Sequence, residues 1–281
     1  MDREPVVPNV LAVAGVDPSG GAGVLADVKT ISALGAYACG VVAALTAQNT
    51  RAVTGVFAVP PAFVAQQIDT LFADVAIAAV KIGMLGQAGV ITTVADRLHR
   101  WQAQRIVLDP VMVAKSGDAL LEKSAVGALR EALLPLAMVI TPNLPEAGVL
   151  LEGRAPETRK EMVRAAERLR GAMAHDGERW VLLKGGHLTS GDAVDLLHDG
   201  DRMIELSGPR IDTKNTHGTG CALSSALAAL LPQSPDVPAA ARRAKEWLSA
   251  AIRESGRLSV GSGHGPVHHF HAFAAAQERA R

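Results

Sequence analysis

Short apolar, β-branched runs alternate with amphipathic stretches through nearly the whole chain. Asn9–Gly15, Gly40–Ala44, Ile77–Met84, Arg105–Asp109, Ala137–Thr141 and Trp180–Lys184 each read as a buried strand, and Val53–Val59 as an edge strand stopped by Pro60-Pro61. Between them the apolar positions recur at helical spacing: Leu25, Val28, Ile31 and Leu34 before Gly35; Phe63, Ile68, Leu71 and Phe72; then Val90–Arg100, Leu120–Leu134 ahead of Pro135, Pro156–Ala174 and Pro238–Glu254. The charges along Pro156–Ala174 read as a solvated face. Ala193–Asp199 and Arg202–Leu206 flank Asp199-Gly200-Asp201, a hairpin signal that places antiparallel pairing on one edge. Strand–helix alternation without linker or repeat predicts one α/β domain over residues 1–281, a mainly parallel sheet between two helical layers, with tails at 1–8 and 274–281.

Composition narrows the function classes. With 281 residues, 48% hydrophobic, the chain is long enough for a substantial core. Its 28 basic and 28 acidic residues cancel, which disfavours nucleic acid or an anionic membrane as main partner. No apolar stretch reaches the roughly 18 residues of a membrane span, and residues 1–8 carry no signal-peptide pattern. Cys39 and Cys221 fit no zinc spacing and read as free thiols, which suits a reducing cytoplasm.

Candidate chemistry gathers at the carboxyl ends of the strands, where α/β sheets bind ligands. The stretch from Asp212 to Ser225 is the strongest signal: a polar loop with Gly218 and Gly220 feeds a helix through Ala222, Leu223, Ala226, Leu227 and Leu230. Glycines admit a ligand close to the backbone, and free N–H groups at the positive helix end form an anion site for a phosphoryl group. Cys221 stands at that helix start, where a thiol pKa is expected to fall. After the first strand, Gly20-Gly21-Ala22-Gly23 matches neither a dinucleotide fingerprint nor a Walker loop, so a plain turn and a ligand loop stand equal. Gln48 suits a flat heterocycle bearing an amino group, or serves an ordinary turn. Asp109 closes a central strand, while Lys81 within its strand reads as structural. Asn143 and Glu146 can act on magnesium or form a capping box, and the residues alone favour the cap. Lys184 at a strand end can meet a phosphate or be a surface lysine. The closing histidines, His264, His268, His269 and His271, read as packing or surface residues.

Several loops together resemble the hydroxymethylpyrimidine/phosphomethylpyrimidine kinases of thiamine synthesis, in the ribokinase superfamily. They are Gly15-Val16-Asp17-Pro18-Ser19-Gly20-Gly21-Ala22-Gly23, Thr46-Ala47-Gln48-Asn49-Thr50, Asp109-Pro110-Val111-Met112, Thr141-Pro142-Asn143-Leu144-Pro145-Glu146-Ala147, Lys184-Gly185-Gly186-His187 and Asp212 through Cys221. The closing Gly265–His271 adds to them, so the likeness runs from about residue 9 to about residue 273. The resemblance implies a ribokinase-like three-layer α/β/α fold. It also implies ATP- and Mg2+-dependent phosphorylation of 4-amino-5-hydroxymethyl-2-methylpyrimidine and then of its monophosphate, by a homodimer. Carried over by position, Gly15, Ala22, Asp27, Gln48, Met84 and Val111 line the pyrimidine pocket, with Gln48 where some members have Glu. Asp109, Asn143 and Glu146 organise magnesium and phosphates; Lys184 and Lys245 contact ATP. Gly218, Thr219 and Gly220 form the anion hole, and Cys221 is the base, where many ribokinase relatives have Asp. Phosphoryl transfer is mostly positioning and charge stabilisation, which these parts supply.

Two rivals remain at this point. A pyridoxal kinase of the same superfamily takes a similar hydroxymethyl-bearing ring. A non-catalytic pyrimidine-binding regulator would use the same fold but need no base. A Rossmann dehydrogenase is disfavoured by the loop spacing. The additional thiamine-phosphate synthase domain of some relatives is not expected, because the chain ends shortly after Phe273.

Overall fold

A computed structural model describes residues 6–112, 123–186, 188 and 193–273. The expected polar loop at Lys115–Asp118, the start of the helix expected at Leu120, His187 and the tail 274–281 lie outside the described residues. The elements run β1 (Asn9–Val16), α1 (Gly23–Ala33), β2 (Tyr37–Gln48), β3 (Val53–Ala58), α2 (Pro61–Phe72), β4 (Ile77–Ile82), α3 (Ala88–Arg100), β5 (Ile106–Leu108) and α4 (Lys123–Ala128). After α4 the chain continues through β6 (Val139–Ile140), α5 (Leu144–Leu150), α6 (Arg159–Ala172), β7 (Trp180–Leu183), β8 (Asp195–His198), β9 (Met203–Leu206), α7 (Thr219–Leu230) and α8 (Val237–Arg253).

The strands form one sheet in the order β3-β2-β1-β4-β5-β6-β7-β8-β9. From β2 to β7 every pairing is parallel, while β2–β3, β7–β8 and β8–β9 are antiparallel. Antiparallel strands therefore flank the parallel centre on both edges, not on the one edge that the Asp199-Gly200-Asp201 signal predicts. Val53–Ala58 turns straight back on β2 through a short polar loop, which a parallel crossover could not span.

Alternation along the central strands feeds two cores. Leu11, Val13, Val80, Ile82, Leu108, Ile140, Val181 and Leu183 pack with Val64, Ile68, Val90, Ile91, Val94, Ala147, Met162 and Leu169 from α2, α3, α5 and α6. Val10, Ala12, Ala79, Val107, Val139, Trp180 and Leu182 pack on the other face with Ile31, Leu223, Leu227, Leu230 and Leu248 of α1, α7 and α8. Burying each such Leu, Ile or Val contributes about 1.5–3 kcal/mol. This is the expected three-layer α/β/α arrangement.

Some boundaries move. β2 extends from Tyr37 to Gln48, well beyond Gly40–Ala44, because β3 pairs along its carboxyl half. The helix ahead of Pro135 passes from α4 through a π turn at Leu129–Leu133 into a 3₁₀ turn at Leu134–Leu136. α6 begins at Arg159 rather than Pro156, since Thr158 and Glu161 form a reciprocal cap there. No described helix is long and apolar enough to cross a membrane.

Candidate active site

The loops after β1, β2, β4, β5, β6 and β7 and the start of α7 open into one cleft of about 730 Å³. Of the residues singled out from the sequence, Gly15, Ala22, Gln48, Met84, Asp109, Val111, Asn143, Glu146, Lys184, Gly218, Thr219, Gly220, Cys221 and Lys245 all line it.

Asp27 does not. It is fully buried on α1, where both carboxylate oxygens accept from Lys81 Nζ at 2.8 Å and Oδ1 also accepts from Ser225 Oγ at 2.7 Å. The expectation that Asp27 lines the pyrimidine pocket is corrected accordingly: α1 turns this side chain into the interior against β4, and Lys81 stands between it and the cleft. Lys81 is itself fully buried. Burial presses its ammonium toward deprotonation, and the carboxylate of Asp27 more than reverses this, so the lysine stays charged.

The glycine loop before α7 is shaped by close approach. Gly218 caps α7 with φ of 72°, and a Cβ there would overlap the Gly21 carbonyl oxygen. At Gly220 a Cβ would lie 3.2 Å from Lys184 Nζ and 3.6 Å from Asp109 Oδ2. Absence of side chains thus lets the helix start sit directly over the charged floor of the cleft. Its free N–H groups and dipole face that floor.

That floor is a cluster of two carboxylates and an ammonium. Lys184 Nζ donates to Asp109 Oδ1 at 3.0 Å and lies 4.0 Å from Glu146 Oε2. Asp109 also accepts from Thr141 Oγ1 at 3.1 Å and from Ser224 Oγ at 3.3 Å. Burial raises the Asp109 carboxyl, but Lys184 and Lys81 together hold it below the usual carboxylate range. Glu146, with less compensation, is pushed up to about 7 by burial and by the Asp109 charge. Asn143 and Glu146 form the capping box: Asn143 Oδ1 accepts from the Glu146 N–H and Glu146 Oε2 from the Asn143 N–H, both at 2.8 Å. The Asn143 carboxamide oxygen is therefore committed to α5, and Glu146 keeps one oxygen toward the cleft.

Cys221 departs from expectation. Instead of falling, its thiol is pushed up to about 11, because burial outweighs the nearby Lys81 charge and the Gly23 N–H, while Asp27 and Asp109 add to the rise. The helix start alone predicted the opposite sign; the desolvation set by tertiary packing decides it.

The cleft has two ends. At one, Gly15, Ala22, Gln48, Met84 and Val111 surround a small pocket. Thr46 Oγ1 donates to Gln48 Oε1 at 3.1 Å and orients its carboxamide. At the other, Lys245, Leu248, Ser249 and Ile252 share one face of α8 opposite Pro209 and Ile211. Lys245 Nζ is held by Asp195 Oδ2 at 2.5 Å and by the Ala193 carbonyl at 3.1 Å. Asp195 Oδ1 in turn accepts from the Gly185 N–H at 2.9 Å, which ties this end to the strand that carries Lys184.

Sequence reasoning missed Asp17 and His217 as site residues. Asp17 Oδ2 accepts from Ala22 N–H at 3.0 Å and Ser19 Oγ at 2.9 Å, and lies 2.7 Å from His217 Nε2. Both side chains are buried against the cleft and join the glycine loop to the loop before α7. Asp17 stood inside the turn-rich segment already singled out, and a buried carboxylate following a strand was the available signal. Asp195, Leu248 and Ile252 were missed too, although the last two follow Lys245 at helical spacing.

Comparison with known proteins gives a consistent picture. The family model for phosphomethylpyrimidine kinase matches residues 17–268. A hydroxymethylpyrimidine/phosphomethylpyrimidine kinase of Escherichia coli (strain K12) is 52% identical over 265 residues, covering 94% of this chain and 98% of that one. Among solved structures, an ADP complex of Bacillus subtilis pyridoxal kinase superimposes with a TM-score of 0.86 at 34% identity, covering 95% of this chain and 99% of that one. A phosphomethylpyrimidine kinase from Clostridium difficile 630 superimposes with a TM-score of 0.76 at 36% identity, covering 87% and 99%.

Proposed function

Because the chain belongs to the phosphomethylpyrimidine kinase family, we infer that it is a phosphotransferase of thiamine biosynthesis, acting on 4-amino-5-hydroxymethyl-2-methylpyrimidine and then on its monophosphate with ATP as donor. The observation that carries this reading is the cleft itself. A small pocket ending at Gln48 and an apolar-walled end at Leu248 and Ile252 meet at the glycine loop of α7 and the Asp109–Lys184–Glu146 cluster. A ring alcohol at one end and a nucleotide at the other would bring acceptor and donor together there, which is most of what phosphoryl transfer requires.

In this reading Gln48 bonds the ring nitrogen and amine, and Gly15, Ala22, Met84 and Val111 enclose the ring. Leu248, Ile252, Pro209 and Ile211 receive the flat base of ATP, and Lys245 and Lys184 face its phosphates. The N–H groups of Gly218, Thr219 and Gly220 hold the transferring group as its charge spreads. Cys221 accepts the proton of the hydroxymethyl group as its oxygen bonds to the γ-phosphorus and the bridging bond to ADP breaks. Only the thiolate can accept that proton, so turnover draws on the minor deprotonated fraction of Cys221, and a loose transition state calls for the transfer late.

Hard oxygens from Asp109 and Glu146 fit Mg2+, which commonly uses one or two carboxylates together with substrate phosphates. Magnesium would neutralise phosphate charge there. Asn143 would act by fixing Glu146. Among the described residues no group of three or more His, Cys, Asp or Glu could hold a metal alone, so the phosphates complete the set. The free thiols Cys39 and Cys221 favour a cytoplasmic setting, and exposed Leu45, Val56 and Phe57 on the β2–β3 edge favour a homodimer through that edge.

The second reading is pyridoxal phosphorylation, favoured by the superposition on Bacillus subtilis pyridoxal kinase. Incubating each ring alcohol with ATP and magnesium and resolving the products by mass spectrometry separates the two. Mono- and diphosphate from the pyrimidine support the first reading. Phosphorylation of pyridoxal alone would replace it, and absence of turnover with either alcohol would leave a binding protein.

A further inference from the structure

Lys81 has no part in the reaction described so far, yet it is the charged group placed most unusually in the fold. It interrupts an apolar central strand, its ammonium is fully buried, and it lines the cleft from below. A buried ion pair is weak support for stability, because desolvating both charges costs about as much as their attraction returns. Apolar residues at 27 and 81 would suit the core between β4, α1 and α7 at least as well. The pair therefore calls for another role.

Its surroundings point to Cys221. Asp27 clamps Lys81 Nζ through both oxygens at 2.8 Å and is itself held by Ser225 Oγ at 2.7 Å. Ser225 is one helical turn beyond Cys221 on the same face of α7, so one network fixes both the lysine and the helix that bears the thiol. Gly83 follows two residues after Lys81, and a Cβ there would come within 2.7 Å of Nζ, so the glycine makes room for the ammonium beside the cleft. The charged groups that act on the Cys221 sulfur are Lys81 from β4, Asp27 from α1 and Asp109 after β5, and Lys184 after β7 also feels its charge. Of these, the lysine of β4 offers the largest stabilisation of negative charge on the sulfur.

We propose that Lys81 is a positioning residue for phosphoryl transfer: clamped by Asp27 beneath the start of α7, it supplies the fixed positive charge against which the Cys221 sulfur gains and holds negative charge. Asp27 then serves the reaction through Lys81 rather than by touching the ring. This builds on the assignment of Cys221 as base, but the electrostatic link between Lys81 and the sulfur stands or falls separately.

The test reads the thiol directly. Full-length protein without nucleotide is treated with iodoacetamide at pH 8.5, and modification of Cys221 is followed by peptide mass spectrometry, with buried Cys39 as internal comparison. In Lys81→Met the Cys221 rate falls by about tenfold, because a smaller fraction is thiolate, and in Asp27→Asn it falls as well, because burial deprotonates a lysine that has lost its counter-ion. In turnover, Lys81→Met lowers kcat by about tenfold or more while the KM for ATP stays within about threefold. An alkylation-against-pH profile displaced upward by about one unit in Lys81→Met, with its plateau rate kept, is what a merely structural pair would not give. A Cys221 rate within about twofold of the parent in Lys81→Met, or a profile that keeps its midpoint while its plateau falls, overturns the proposal. Should Lys81→Met not fold, Asp27→Asn carries the test, and a Cys221 rate that does not fall in that protein also overturns it. Failure of the base assignment would appear differently, as Cys221→Ala retaining kcat while the alkylation shifts persist.

Discussion

His217 Nε2 and Asp17 Oδ2 meet at 2.7 Å, 200 positions apart in the chain. The contact joins the loop after β1 to the loop that starts α7, and both side chains are buried. Burial alone would raise the Asp17 carboxyl, but the hydrogen bonds from His217 and Ser19 outweigh it and hold it below the ordinary value.

Loss of either partner should therefore disturb the anion loop without touching the nucleotide end. Asp17→Asn and His217→Gln are each expected to lower kcat more than they raise the KM for ATP. A double-mutant cycle on stability should give a coupling of about 1.5–3 kcal/mol, the usual size for a hydrogen bond to a charged group. Additive losses would show that the contact does not join the two loops energetically.

Gly218 supplies a second expectation. Its φ of 72° and the nearness of the Gly21 carbonyl leave no space for a methyl group. Gly218→Ala should cost about 1–3 kcal/mol in denaturant midpoint analysis and reduce kcat sharply, because the first N–H groups of α7 lose their aim. Gly171→Ala on α6, where a Cβ meets nothing, should leave activity unchanged and serves as the control.

The contrast between these positions explains what could be read from the chain alone. Strand runs such as Trp180–Leu183 and the reciprocal cap of Asn143 and Glu146 depend on neighbours in sequence, so local rules found them. Asp109 and Cys221 stand out because they follow a strand or start a helix, while Lys184 is balanced against a surface lysine until the family resemblance gives it a role. Pairings between distant residues were not visible. Asp27 and Lys81 are 54 positions apart, and only the packing of α1 on the sheet turns Asp27 away from the pocket. The sign of the Cys221 shift depends on burial together with charges brought from β4, α1 and the loop after β5, which no helix-end rule contains.

That shift has a pH consequence. With the thiol pushed up to about 11, the thiolate is a minor species near neutrality, and its fraction grows about tenfold per pH unit below that value. If the sulfur takes the hydroxyl proton, kcat/KM for the pyrimidine alcohol should rise with pH from about 7 to 9. Cys221→Ala should lose about 10²–10⁴ in kcat with ATP binding retained, as for removal of a general base. Cys221→Asp should flatten the rise, since a carboxylate is already ionised in that range. A flat profile in the parent protein, or near-normal kcat in Cys221→Ala, would remove the base role.

His269 carries a prediction for stability in acid. It is buried in the closing segment, and its Nε2 makes no hydrogen bond among the described residues. Burial, with Lys29 and His268 nearby, lowers its pKa to about 4 from an ordinary 6.5. The native state then holds the imidazole neutral while the unfolded chain takes up a proton, so the stability from this group is complete above about pH 6.5 and is lost as pH falls toward 4. Each unit in that window costs at most about 1.4 kcal/mol. His269→Phe removes the titration and the unpaired nitrogen together. The variant should be close to the parent at pH 7.5 and more stable than it at pH 5, by several degrees in Tm. Parallel Tm-against-pH curves for the two proteins would show that His269 does not set this part of the acid response.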